Sequence, residues 1–512
     1  MRGSCKQKVI APRASRSAMA TYISALLTLV APLLGCSNFH HRAYRLDHPQ
    51  IQAEKYVLNF VEADDDGWFW APTQAAAALR SVAESAQSRD TIVLVFIHGW
   101  HHSAACCDDN VEGFKAVLER LYDEVRINPM FAAARKQVHR ITGATDDYRV
   151  IGIYIGWRGS SLPGWLDYLT FWGRKSAAKR VGEMDLSEFM ARLQSLYSEH
   201  NTPAPPQGPA SKTYLGLVSV GHSFGSQVLI RAVAGNLEHE LEGRGAASTY
   251  LRQTDNPPVV DLKRPAQGYG DLILLINPAV EAAAYERLFM LSRRFSYPKE
   301  QTPLLFTVSA DNDRPRHKLF EWGRVAGEVF TSTPHKSDPR ERMGERKALG
   351  VYGDPRTRPP DPEVQLTHTL TPSDPDVKLV GYNETHTPEP YCEQAGPCTC
   401  KFYRWSMEPK KTLSDSLSST ASTDAEIAAL EEKVSVYDFS TATAFANVSL
   451  DPLPGGIPYQ PMIMASAPPN IIDGHNGMFS QPLLDFLTKY LGFIEAKRYL
   501  ITANEKHWMT QH

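Results

Sequence analysis

The chain has 512 residues, with 54 Lys and Arg against 57 Asp and Glu, 42% hydrophobic and 22% charged. That length accommodates two or three domains or one large elaborated one, and so average a composition excludes disordered, collagenous and coiled-coil chains. A net charge of −3 lacks the basic excess of a nucleic-acid binder, and any membrane contact must come from one end.

Residues 1–17 carry five positive charges (Arg2, Lys6, Lys8, Arg13, Arg16) and no acid, and an apolar run follows from Ala18 to Leu34. A charged, then apolar, then small-residue order is that of a secretory signal, and the run is short for a spanning helix. Leu33-Leu34-Gly35-Cys36 resembles a bacterial lipobox. The resemblance implies a signal peptide over 1–35, diacylation of Cys36 and a tether over 36–54. Ser37 in place of Asp implies the outer membrane of a bacterial envelope. Two acyl chains would anchor the chain firmly.

Five cysteines follow: Cys106, Cys107, Cys392, Cys398 and Cys400. An oxidising compartment permits disulfides, and the spacing of the last three favours a bridge among them over a zinc site, which lacks a fourth ligand. Cys106 and Cys107 stay unassigned.

From Tyr56 onward apolar runs alternate with helical patterns. Thr91–Ile97 is unalternated and rich in β-branched residues, as a strand buried on both faces should be. Phe114, Val117, Leu118, Leu121 and Val125 form one helical face. His98, His101 and His102 with Asp108 and Asp109 could be drawn as a metal site, but a surface His pair with helix-capping acids explains them better, so no metal is expected. Strand signals recur at Val150–Ile155, Tyr214–Val220, Asp271–Ile276, Leu304–Val308 and Met462–Ala465, with helices such as the one through Leu186, Phe189, Met190, Leu193 and Tyr197 between them. The alternation predicts an α/β protein with a doubly wound, mostly parallel sheet. After the strand at 150–155, Trp157, Trp165, Tyr168, Phe171 and Trp172 suit core packing, or an apolar wall for an acyl chain.

Residues 55–328 read as the first part of the core, 329–457 as a long irregular insertion before the last strand, 458–495 as the last strand and helix, and 496–512 as a C-terminal tail. Within the insertion, Thr423-Asp-Ala-Glu426 could cap a short helix.

Gly221-His222-Ser223-Phe224-Gly225 follows a strand and opens a helix predicted over Ser226–Leu237. A Ser on such a turn projects its hydroxyl above the carboxyl edge of the sheet. A hydroxyl needs a base, and the base an orienting acid. His475 lies between the last strand and the terminal helix, and Asp311 and Asp313 follow the preceding strand. Only one of these acids can face the imidazole. Asp313 leaves more loop to turn inward, with Asp311 as the alternative. The N–H groups of Phe224 and of Trp100, after His98-Gly99, suit an oxyanion hole.

His98-Gly99, Gly-His-Ser-Phe-Gly, a late Asp and Asp473-Gly474-His475-Asn476-Gly477, in that order, resemble an α/β-hydrolase with a Ser-His-Asp triad. The resemblance spans roughly 55–328 and 458–495. It implies hydrolysis of a small carboxylic ester through an acyl-enzyme, without a cofactor, and Ser as nucleophile argues against dehalogenase or epoxide-hydrolase chemistry. Amide or thioester hydrolysis and a non-catalytic surface-binding role are the alternatives.

Overall fold

Runs of Val, Ile, Leu and Phe without alternation can be satisfied only where both faces of a strand are covered. In the computed structural model they form the middle of an 11-stranded sheet. The structure describes residues 43–127, 148–159, 170–201, 213–244, 260–316 apart from 263, 346–351, 366–373, 441–454 and 458–511, with short pieces at 320, 344, 382–383 and 401–402. The signal segment, Cys36, Trp165, Tyr168, the cysteines at 392, 398 and 400 and the 423–426 cap lie outside the described residues.

The strands, numbered in chain order, are β1 (Gln50–Gln52), β2 (Tyr56–Glu62), β3 (Asp90–Ile97), β4 (Tyr148–Gly156), β5 (Leu215–His222), β6 (Leu272–Ile276), β7 (Leu305–Ala310), β8 (His368–Pro372), β9 (Thr443–Phe445), β10 (Val448–Pro452) and β11 (Met462–Ala467). Their order in the sheet is β1-β2-β4-β3-β5-β6-β7-β11-β8-β10-β9. Every neighbouring pair from β2 to β8 is parallel, and both margins are antiparallel. The molecule is therefore α/β with a mostly parallel sheet.

The helices are α1 (Pro72–Ser88), α2 (Asp109–Ile127), α3 (Phe171–Glu183), α4 (Asp185–Asn201), α5 (Phe224–Arg244), α6 (Ala282–Ser292) and α7 (Gln481–Gln511). They cover both faces. One core joins Val93, Val95 and Ile97 to residues of α1, α3, α4, α5 and α6. The other joins Leu94 and Phe96 to Phe114 and Leu118 of α2 and Phe486 and Tyr490 of α7.

Three of the segments contain more regular structure than the sequence reading gave them. The stretch read as a tether contributes β1 and a buried Arg45. The irregular insertion supplies β8, β9 and β10 to the sheet, because His368–Pro372 and Val448–Pro452 alternate inward and outward enough to bury one face. The supposed tail from 496 continues α7, and buried Tyr499 reaches across to Asp90 with a 2.6 Å hydrogen bond. Cys106 and Cys107, left open by sequence, are both disulfide-bonded.

Candidate active site

All the parallel strands point their carboxyl ends to one rim, so loops far apart in sequence meet there. Ser223 follows β5, near the middle of the sheet, and opens α5. Its backbone is left-handed, with φ of 54°, which for a non-glycine residue is strained. The turn survives because its surroundings hold it: Ser223 N–H donates to Ile276 O and Ala279 N–H to Ser223 O, each at 3.1 Å. Close packing explains two glycines. A Cβ on Gly225 would stand 2.1 Å from Ile97 O, and one on Gly99 would stand 2.7 Å from Ser223 Cβ.

The three residues anticipated for the chemistry converge. Ser223 Oγ lies 2.6 Å from His475 Nε2, and His475 Nδ1 lies 2.7 Å from Asp313 Oδ2. Ser223 follows β5, Asp313 follows β7 and His475 follows β11. Between the two candidate acids, the structure brings Asp313 to the imidazole. Asp311 instead spends its backbone N–H on Ala467 O, tying the loops after β7 and β11 together.

Asp313 is fully buried. Burial opposes its ionisation, but the Arg316 guanidinium and the His475 hydrogen bond outweigh that and hold its carboxyl well below the ordinary carboxylate range. Arg316 Nε donates to Asp313 Oδ2 at 2.7 Å, and its backbone N–H to Oδ1 at 3.0 Å. Its Nη1 donates to both Ser309 Oγ and Leu349 O, and its Nη2 to Ala310 O. This arginine was not anticipated, since an Arg three residues after an Asp has no distinguishing spacing.

The imidazole is held by its backbone. His222 Nε2 donates to His475 O at 3.0 Å, and Asn277 Nδ2 to the same oxygen at 2.8 Å. Asn277 Oδ1 accepts from Ala310 N–H. Asn312 Oδ1 accepts from Gly474 N–H, while its Nδ2 donates to Asp473. Two asparagines thus stitch the β6, β7 and β11 loops together. Neither was anticipated, although Asn277-Pro278 after a strand is a turn signal, and φ at Asn277 is 45°. His222 is buried, and both desolvation and the neighbouring His475 depress its pKa far below the ordinary histidine value, so it is neutral. Its Nδ1, facing Gly99, has no hydrogen-bond partner among the described residues.

For the oxyanion, Phe224 N–H lies in the first turn of α5, where no intrahelical acceptor exists. Trp100 follows Gly99, whose backbone abuts Ser223. His98 has a different role. Nδ1 donates to Gly99 O at 2.9 Å, while Nε2 accepts from Trp157 N–H at 3.0 Å. Its ring stacks on Trp157, 5.5 Å between centroids and 4° between planes. Burial lowers its pKa to about 4, so it fixes the 98–100 loop as a neutral ring. His101 stacks on Trp100 and His102 bonds Asp108 at 3.1 Å. Asp109 begins α2.

Of the aromatic stretch, Trp157 belongs to the core. Phe171 stands 5.1 Å from Phe224 and 5.3 Å from Trp100 between ring centroids, beside the turn that carries Ser223. Trp172 is partly exposed. Chemically, the arrangement can deprotonate a hydroxyl, hold the resulting imidazolium against a carboxylate, and offer helix-start and loop N–H groups to a developing oxyanion. Comparison with protein-family models, curated proteins and solved structures finds no match to the chain.

Proposed function

We propose that the protein is a serine hydrolase of the α/β-hydrolase type, cleaving a carboxylic ester through an acyl-enzyme, and that a lipid on Cys36 tethers it to the bacterial envelope. The observation that carries the enzymatic reading is the continuous Ser223–His475–Asp313 chain, with links of 2.6 and 2.7 Å. A sheet kept only as a scaffold needs no such alignment of three loops.

Ser223 Oγ attacks the ester carbonyl carbon while His475 Nε2 takes its proton, and the negative charge collects on the former carbonyl oxygen. Phe224 and Trp100 N–H groups face that charge; each such donor is typically worth about 3–4 kcal/mol. His475 then gives the proton to the departing alkoxide, leaving an acyl-Ser223. Water, deprotonated by the same imidazole, releases the acid. Asp313 keeps Nδ1 protonated and stabilises the imidazolium. Protein groups supply every step.

A fluorophosphonate probe and a panel of p-nitrophenyl esters of graded acyl length test this. Labelling should be confined to Ser223, and Ser223→Ala should lower turnover by about 10⁶. Wild-type protein that neither labels nor turns over any ester would end the reading. The tether is tested separately, by incorporation of labelled palmitate that Cys36→Ser abolishes.

A further inference from the structure

Large apolar side chains left in water are informative when they gather in one place. Among the described residues, the exposed large hydrophobics are Leu46, Trp68, Trp70, Trp172 and Met184. All five lie at the carboxyl rim of the sheet. Leu46 adjoins Arg45, whose backbone N–H donates to Glu62 at the end of β2. Trp70 N–H donates to Glu62 O, and Asp64 N–H to Trp68 O. Trp172 begins α3 beside Phe171, which packs against the Ser223 turn. Met184 lies against Gly67.

The exposure is built into the loop. Asp64 Oδ1 accepts from the N–H groups of both Asp66 and Trp68, each at 2.9 Å. Phe69 turns inward onto Phe189 and its N–H donates to Asp185. Trp68 and Trp70 are therefore held outward on either side of an inward Phe69, 54% and 42% exposed. The acids do not form a bare negative patch. Asp65 is paired with Arg158 and Arg174, and Asp66 with Arg180. Tryptophan on a polar-rimmed surface suits the headgroup level of a bilayer, where one edge of the ring is apolar and the other wet.

The chain also reaches the folded body at this rim. Tyr44 N–H donates to Glu62 Oε2 at 2.7 Å, and Arg45 is buried beside it, its Nε on Ala104 O at 2.9 Å. Cys36 lies eight residues before Tyr44, a contour of at most about 28 Å. We infer that this tryptophan-bearing rim docks on the lipid surface, so that the Ser223 site works against the bilayer on esters presented by it. The inference rests on the reading of Cys36 as a lipid anchor. The attachment point, the outward tryptophans and the hydroxyl then share one rim, so a membrane-borne ester need not diffuse around the molecule.

The full chain, reconstituted in vesicles of phosphatidylcholine brominated on its acyl chains, tests the inference. No tryptophan precedes Trp68, so the anchor segment cannot contribute to quenching. Bromine should quench tryptophan fluorescence of the wild type, and Trp68→Phe/Trp70→Phe should remove most of that quenching while still sedimenting with the vesicles. Quenching unchanged in the double variant means the rim points away, and the inference falls. It falls also if the chain does not associate with vesicles. Fluorophosphonate labelling of the same samples reports the hydrolase reading independently. As a functional counterpart, Trp68→Ser/Trp70→Ser should slow hydrolysis of a vesicle-embedded ester at least severalfold and leave a water-soluble p-nitrophenyl ester unaffected. Equal loss on both substrates overturns the inference.

Discussion

Buried carboxylates stand at both ends of the sheet, and they are held in opposite states. At the carboxyl rim, Asp313 has a guanidinium and an imidazole within hydrogen-bond reach and stays ionised in spite of burial. At the amino end, Glu495 of α7 is pushed far above the ordinary carboxylate range, first by burial and then by neighbouring Asp271. Tyr214 Oη donates to Glu495 at 3.3 Å, and Tyr499 and Tyr197 donate to Asp90 and Asp271, each at 2.6 Å. The same chemical group is held as a charged acceptor beside His475 and pushed towards its neutral form where helix α7 docks. What separates them is whether a cation lies within hydrogen-bond reach.

Exchanging carboxylate for amide at the charged end is the harshest test. Asp313→Asn should keep the shape, present the wrong tautomer of His475 to Ser223, and lower kcat by about 10⁴. Asp311→Asn, on the same loop but off the imidazole, should change kcat by no more than a few fold. An equal loss in both variants would mean that loop order, not the Asp313 charge, carries the effect. Removing the cation comes next. Arg316→Gln leaves Asp313 charged and buried without its main compensation, which should destabilise the fold by about 3–5 kcal/mol, read from urea unfolding at neutral pH. A smaller loss would mean that His475 alone sustains the charge.

The neutral imidazole of His98 makes a gentler comparison at the same rim. Its folded pKa of about 4 lies below the ordinary 6.5, so the unfolded chain binds the extra proton. Its contribution to stability is therefore complete above pH 6.5 and lost as the pH falls towards 4, about 3 kcal/mol in all. Buried His222 acts in the same direction. Urea midpoints at pH 7 and pH 5 should show the decline, and His98→Asn should make it shallower by one proton's worth. An unchanged slope would mean that His98 titrates alike in the folded and unfolded chain.

The charged end was far more legible in the sequence than the neutral one. Glycines around Ser223 are forced by backbone clashes of 2.1 to 2.8 Å, so a sharp strand-to-helix turn leaves a readable mark. His475 is legible because the loop after the last strand opens on the same rim as Ser223, where its ring meets Ser223 Oγ. Arg316, Asn277 and Asn312 left no mark, because they act through single hydrogen bonds to residues distant in the chain. The insertion strands were hidden by prolines and by needing only one buried face. The end of α7 was missed for another reason. Lys497 and Arg498 look like solvated tail, yet both are buried, and only the packing of α7 on the sheet reveals that.

The smallest expected effect is the most discriminating for the neutral end. A protonated carboxyl and a carboxamide have nearly the same shape and both accept from Tyr214, so Glu495→Gln should change stability by less than about 1 kcal/mol at acid pH, near the ordinary glutamate value. It should leave ester turnover intact, in contrast with Asp313→Asn. A raised folded pKa means that the folded state binds the extra proton, so the wild type loses stability as the pH rises above the ordinary glutamate value, and the Gln variant should not. Its advantage should therefore grow towards alkaline pH. Were Glu495 instead ionised against Arg498, the same change would strand a buried guanidinium and cost several kcal/mol at every pH, and the contrast between the two ends of the sheet would vanish.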